Sequence, residues 1–220
     1  MAGLQVTTAP TQEPLTLQEV KDYLRLDDAL DERVLQDLVE AARMFCEDYT
    51  GRALMTQTLT MTIDGYNELA DPLFEGTRTV PYINYYKSYI DIPKAPVQSI
   101  TSVKTFDDAD NATTFASTKY YVDTQREPSR IVLRTGETFP TALRVANAIE
   151  VIYVAGYASR AALPAPLRIG MLQHIAYLYE QRGDMGDYLQ ARQFPPAIKQ
   201  LYAPFVIHKA LGSSSLLALG

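Results

Sequence analysis

The sequence has no tryptophan, one cysteine and two histidines, and each scarcity removes a class of chemistry. A single cysteine, Cys46, cannot close a disulfide within the chain. It sits inside a helical pattern, where a thiol reads as a small buried hydrophobe, and the chain suits a reducing compartment. With only His174 and His208 available, no histidine stands in a context that would activate a serine or cysteine, and no zinc spacing occurs. Both histidines read as structural or surface residues. Neither G-x-G-x-x-G nor G-x-x-x-x-G-K-[ST] is present, so nothing predicts a phosphate cradle. The cluster Asp107, Asp108 and Asp110 lacks the glycine and closing glutamate of a calcium loop and reads as a hairpin turn. No pair of carboxylates is nominated for hydrolysis. Catalytic, cofactor and metal residues are therefore all expected to be none.

Charge and hydropathy exclude more. The 20 lysines and arginines are outnumbered by 26 acids, giving a net charge of −6, and they are scattered, so no basic stripe would neutralise a phosphate backbone. Sequence-specific reading of nucleic acid is not expected. The first residues carry no basic and apolar leader pattern, and no apolar run approaches the roughly 20 residues that span a bilayer. Neither a signal peptide nor a membrane span is expected.

What is present is a change of period along the chain. Residues 1–14, with Pro10 and Pro14, read as a flexible arm ordered only by a partner. Thr16 and Glu19 form a capping box, with Leu15 and Val20 as a hydrophobic staple, predicting a short helix over about Leu17 to Arg25. The acids of Asp27 to Arg33 are expected to satisfy free amides at the start of a second helix. Leu35, Leu38, Ala42, Phe45 and Tyr49 form its apolar stripe, and Gly51 is its natural terminator. Immediately after E-D-Y-T-G-R-A-L, Thr56 to Ile63 alternates threonine with Leu59, Met61 and Ile63, the two-residue period of a strand.

Further strands are predicted at Tyr89 to Ile92, Ser99 to Phe106, Lys119 to Asp123, Arg130 to Leu133 and Ala148 to Val154. Helical spacing returns at Pro166 with Leu167, Met171, Ile175, Leu178 and Tyr179, and a last short helix is predicted within Pro195 to Phe205. The expectation is an α+β fold: a helical core of two N-terminal and two C-terminal helices, with a central antiparallel β-sheet or small β-sandwich insertion. The boundaries are an arm over 1–14, a helical core over 15–53 and 158–205, a β-rich insertion over 54–157, and a tail over 206–220.

The compositional excess is tyrosine, fifteen residues, several of them in P-Y-I-N-Y-Y-K-S-Y from Pro81 to Tyr89. Tyr82, Tyr85 and Tyr86 could stack on sugars or on another protein, or cover the outer face of a sheet. The first possibility leaves open a carbohydrate- or host-surface-binding module.

Taken in order, L-T-L-Q-E-V-K-D-Y-L-R-L-D, E-D-Y-T-G-R-A-L, I-D-I-P-K-A-P-V-Q-S-I-T-S-V, N-A-I-E-V-I-Y-V-A-G-Y and P-A-P-L-R followed by Y-L-Y-E-Q-R resemble the head–tail connector, or adaptor, family of tailed phages, described as gp6-like or phiE125 gp8-like. The resemblance runs from about Leu15 to Phe205. It implies a structural, non-enzymatic role in the virion neck, with the chain made in the host cytoplasm. It also implies a ring of identical copies, commonly twelve, that binds the portal protein above and a stopper or tail-terminator protein below. Genomic DNA would pass through the ring unread, and an acidic lining would repel it and let it slide. The portal-facing candidates are Pro196, Ile198, Leu201, Tyr202, Phe205, Leu216 and Leu217; the subunit-interface candidates are Tyr82, Tyr85 and Tyr86. Asp64 to Tyr86 is longer than the connection expected in relatives and reads as an added loop. Removing Pro195 to Gly220 is expected to leave a folded subunit that no longer holds the portal.

Overall fold

The computed structural model describes residues 3–27, 30–65, 89–181 and 195–207. They form a mixed α+β structure of two compact units, one of residues 10–57 with 155–207 and one of residues 3–9 with 58–154.

The helical unit contains α1 (Leu17–Leu24), α2 (Glu32–Thr50), α3 (Ala165–Glu180) and α4 (Pro196–Tyr202). The capping box starts α1: Thr16 Oγ1 accepts from the Glu19 amide at 3.1 Å, and the Thr16 amide donates to Glu19 Oε2 at 2.8 Å. The Thr16 amide first, and then the Thr16 hydroxyl, which donates to Glu19 Oε2 at 2.9 Å, hold the Glu19 carboxyl below its ordinary range, with Arg168 adding to the shift. The staple residues Leu15 and Val20 are both buried in one core with Leu35, Val39, Ala42, Cys46, Leu54, Leu167, Met171 and Ile175. At the start of α2 Glu32 lies in the first turn as expected, but Asp31 acts differently. Asp31 makes no side-chain capping bond to the helix, and its Oδ2 accepts from the Tyr179 hydroxyl at 2.6 Å. A tertiary donor outcompetes the free amides, which leaves the helix start tied to α3.

Gly51 ends α2 with φ +70°, the left-handed conformation that glycine adopts without steric cost. The next turn is held by Glu47. Its Oε1 accepts from the Leu54 amide at 2.8 Å and from Gln57 Nε2 at 3.0 Å, while its Oε2 accepts from Arg43 Nη1 at 3.4 Å. Met55 bridges Tyr157, and Gly156 beside it, at φ +112°, has no room for a side chain: a Cβ would lie 2.1 Å from the Met55 carbonyl oxygen.

The β unit holds two sheets. The larger has the order β1-β2-β8-β4-β5, with β1 (Gly3–Thr8), β2 (Gln57–Ile63), β4 (Val97–Phe106), β5 (Ala112–Thr114) and β8 (Ile149–Ala155). Alternation is clean in β2 and β8, where Leu59, Met61 and Ile63, and Ile149, Val151 and Tyr153, are buried every second residue. The second sheet has the order β3-β7-β6, antiparallel throughout, from β3 (Tyr89–Ile92), β6 (Tyr120–Asp123) and β7 (Ser129–Leu133). Two strands lie outside the expectation. β5 completes a hairpin with β4 around the Asp107–Asn111 turn. β1 is formed by the arm, which is ordered by its own chain through antiparallel pairing with β2. Its six strand residues are all exposed, and the alternation is limited to Leu4 and Val6, too short to mark a strand by itself.

Candidate functional site

The acidic turn is satisfied within itself. Asp107 accepts from the amides of Ala109 and Asn111, both at 2.9 Å, and from Asn111 Nδ2 at 3.1 Å, and those bonds, the Asn111 side chain first, lower its pKa. Asp110 is paired with Arg144 Nη1 at 2.9 Å. Among the described residues no group of three or more His, Cys, Asp or Glu is placed to hold a metal, and no helix is long and apolar enough to cross a membrane.

The described residues that the sequence nominates for contact with a partner lie in the C-terminal segment. α4 packs on α3 and α2 by two side chains, Ile198 and Tyr202, which are 2% and 0% exposed. Tyr202 lies over Gly170 of α3, where a Cβ would come within 2.4 Å of the ring, so glycine is what lets the two helices approach. Its ring is 6.0 Å from that of Tyr49, and burial, reinforced by Cys46, raises the pKa of its hydroxyl. Beyond α4 the chain makes a short 3-10 turn over Ala203–Phe205 and is then fastened to the end of α2. Arg52 Nε donates to the Phe205 carbonyl at 2.6 Å, and the Ile207 amide donates to the Thr50 carbonyl at 2.8 Å.

This geometry divides the sequence candidates. Ile198 and Tyr202 belong to the chain's own core. Leu201 and Phe205 pack against that core while staying partly open, and Pro196 is exposed. Removing Pro195 to Gly220 would thus take away core side chains, which corrects the expectation that such a truncation leaves a folded subunit. Leu216 and Leu217, like Tyr82, Tyr85 and Tyr86, lie outside the described residues.

Sequence reasoning missed a buried ionic cluster on the same unit. Arg43, 7% exposed, donates from Nε to Glu13 Oε2 at 2.8 Å and faces Glu47, while Arg160 Nε donates to the Glu13 carbonyl at 2.7 Å. The i, i+4 spacing of Arg43 and Glu47 was a signal, but on a helix it is ordinarily a surface pair. Burial of His174, with its ring set edge-on 5.0 Å from Phe45, depresses its pKa to about 4. That agrees with a structural histidine.

A family model described as phage gp6-like head-tail connector protein matches residues 14–105. No curated protein matches the chain. Among solved structures, a chain in the neck of an empty GTA particle computed with C6 symmetry superposes with a TM-score of 0.71 at 23% identity, covering 96% of this chain and 98% of that one. A chain of the virion of a native gene transfer agent (GTA) particle gives 0.70 at 21%, covering 95% and 97%. One from the neck of the native GTA particle computed with C12 symmetry gives 0.68 at 23%, covering 96% and 98%.

Proposed function

From residues 14–105, which match the phage gp6-like head-tail connector family, we propose that this chain is a structural connector in the neck of a tailed phage or phage-like particle. The family match is the observation that carries the reading. It is supported by the likeness of nearly the whole fold to chains of particle necks computed with C6 and C12 symmetry. The chain works by contact and makes or breaks no bond in a substrate. Copies form a closed ring, each presenting two different surfaces that meet head to tail. The helical unit is the adaptor core and the β unit is carried as an insertion, its two sheets forming a small sandwich. The ring binds a portal protein on one side and a stopper or tail-terminator on the other, and the genome passes through unread.

The exposed rim of the C-terminal segment, Pro196 with the open parts of Leu201 and Phe205, leads into residues 208–220, and that continuous stretch is the portal-facing candidate. Truncation after Ile207 keeps α4 and the bonds to Arg52 and Thr50. The truncated chain is expected to melt like the full one yet to lose capture by the portal in a pull-down. Equal capture would remove the assignment of this surface. Electron microscopy of purified particles that found no copies at the neck would reject the connector reading itself. No observation favours the carbohydrate-binding alternative.

A further inference from the structure

Strand β1 is attached to the protein by main-chain pairing and little else. All six residues from Gly3 to Thr8 are exposed. Register runs from Gly3 opposite Thr62 to Val6 opposite Leu59, then through a bulge to Thr8 opposite Thr58. Leu4 and Val6 stand across from Met61 and Leu59, so they share the sheet face on which β2 buries its side chains. They nevertheless remain 41% and 50% exposed. The apolar face thus runs on past the cover the subunit supplies. The strand reads G-L-Q-V-T-T, without the charge or proline that commonly guards a sheet edge.

The strand's connection is equally telling. The chain is firmly fixed at Glu13, held by Arg43 and Arg160, and at the buried Pro14 and Leu15. Between that anchor and β1 lie four residues, Ala9 to Gln12, including Pro10, none of them buried. The structure therefore combines a fixed anchor, a short open tether, and a strand whose contacts are dictated by the edge of β2. That edge is identical in every copy. Pairing with the β2 of a second copy reproduces the same hydrogen bonds one for one, which makes exchange cheap. β1 lies before the segment that the connector family model matches.

We propose that in the assembled ring β1 of each copy pairs with β2 of its neighbour, so that the β2 edge is a strand-accepting surface for a second copy of this chain. One donor strand and one acceptor edge per subunit make a head-to-tail contact that closes into a ring. Four extended tether residues reach at most roughly 14 Å, which limits exchange to the immediate neighbour. The proposal rests on the ring reading above.

The test uses the Cα partners Gln5 and Thr60. The full chain carrying Gln5→Cys and Thr60→Cys is assembled, oxidised, and run on a non-reducing denaturing gel, with each single substitution as control; Cys46 is buried and does not compete. Exchange predicts a ladder of covalent multimers that collapses on reduction and is absent from both controls. Rings seen by native mass spectrometry whose thiols are joined within one chain, or stay reduced, would overturn exchange while leaving the connector reading intact. Failure of the unsubstituted chain to form rings would sink both. A second variant lacking residues 3–8 loses no buried side chain and is expected to fold but stay monomeric. Rings formed normally without β1 would overturn the proposal as well.

Discussion

Replacing Glu47 by alanine removes the acceptor that turns the chain from α2 towards β2. Two donors lose their partner at once, the Leu54 amide at 2.8 Å and Gln57 Nε2 at 3.0 Å, both in buried surroundings. A buried donor left unsatisfied costs about 1–3 kcal/mol. Arg43 is less affected, because Glu13 still faces it at 2.8 Å. The sum is about 2–6 kcal/mol. For a chain of this size that corresponds to a fall in Tm of about 4–24 °C. Glu47→Gln keeps an oxygen for Leu54 and gives up the charge opposite Arg43, so its cost should be nearer about 1–2 kcal/mol. Thermal melts followed by circular dichroism at neutral pH, with urea titrations as a check, read both values. A Glu47→Ala protein within about 0.5 kcal/mol of the parent, the ordinary scatter of surface changes, would refute the role assigned to this carboxylate. So would a glutamine variant as damaged as the alanine one.

Two further measurements probe the same unit. Gly170→Ala drives a Cβ to 2.4 Å from the Tyr202 ring and should destabilise by about 1–3 kcal/mol, with loss of the near-ultraviolet signal of packed tyrosines; an unchanged Tm would contradict the close approach of α3 and α4. His174 titrates at about 4 in the folded protein, below its unfolded value near 6.5, so its contribution is complete above the unfolded value and is lost as pH falls towards the folded one. Between pH 7 and pH 5 about 2 kcal/mol should disappear. His174→Gln should flatten that part of the pH profile, and an equally steep profile in the variant would show that other groups cause it.

The elements most legible in the sequence were those that bury a periodic face. The Thr16 and Glu19 box, the stripe of α2, Gly51 and the alternation of β2 all lie where local chemistry and tertiary packing agree, so the local signal survived folding. β1 and β5 were missed because their residues are all exposed and their apolar content is slight, two alternating residues in β1 and one alanine in β5. Asp31 was misassigned because a capping acid looks the same whether its partner is a neighbouring amide or the distant Tyr179 hydroxyl. The C-terminal surface was half legible. Ile198 and Tyr202 were nominated to face a partner, but Gly170, against which the Tyr202 ring packs, turns this face into the chain's own core.

The fastening of Phe205 to Arg52 and of Ile207 to Thr50 has a mechanical consequence. Any pull on the chain beyond Ile207 enters the subunit at the last turn of its 19-residue helix α2. The load is then borne by two hydrogen bonds and by the Tyr202 side chain wedged against α3, before it reaches the rest of the molecule. Under such a pull the C-terminal segment would yield first at this clasp, before the packing of α1, α2 and α3 is disturbed.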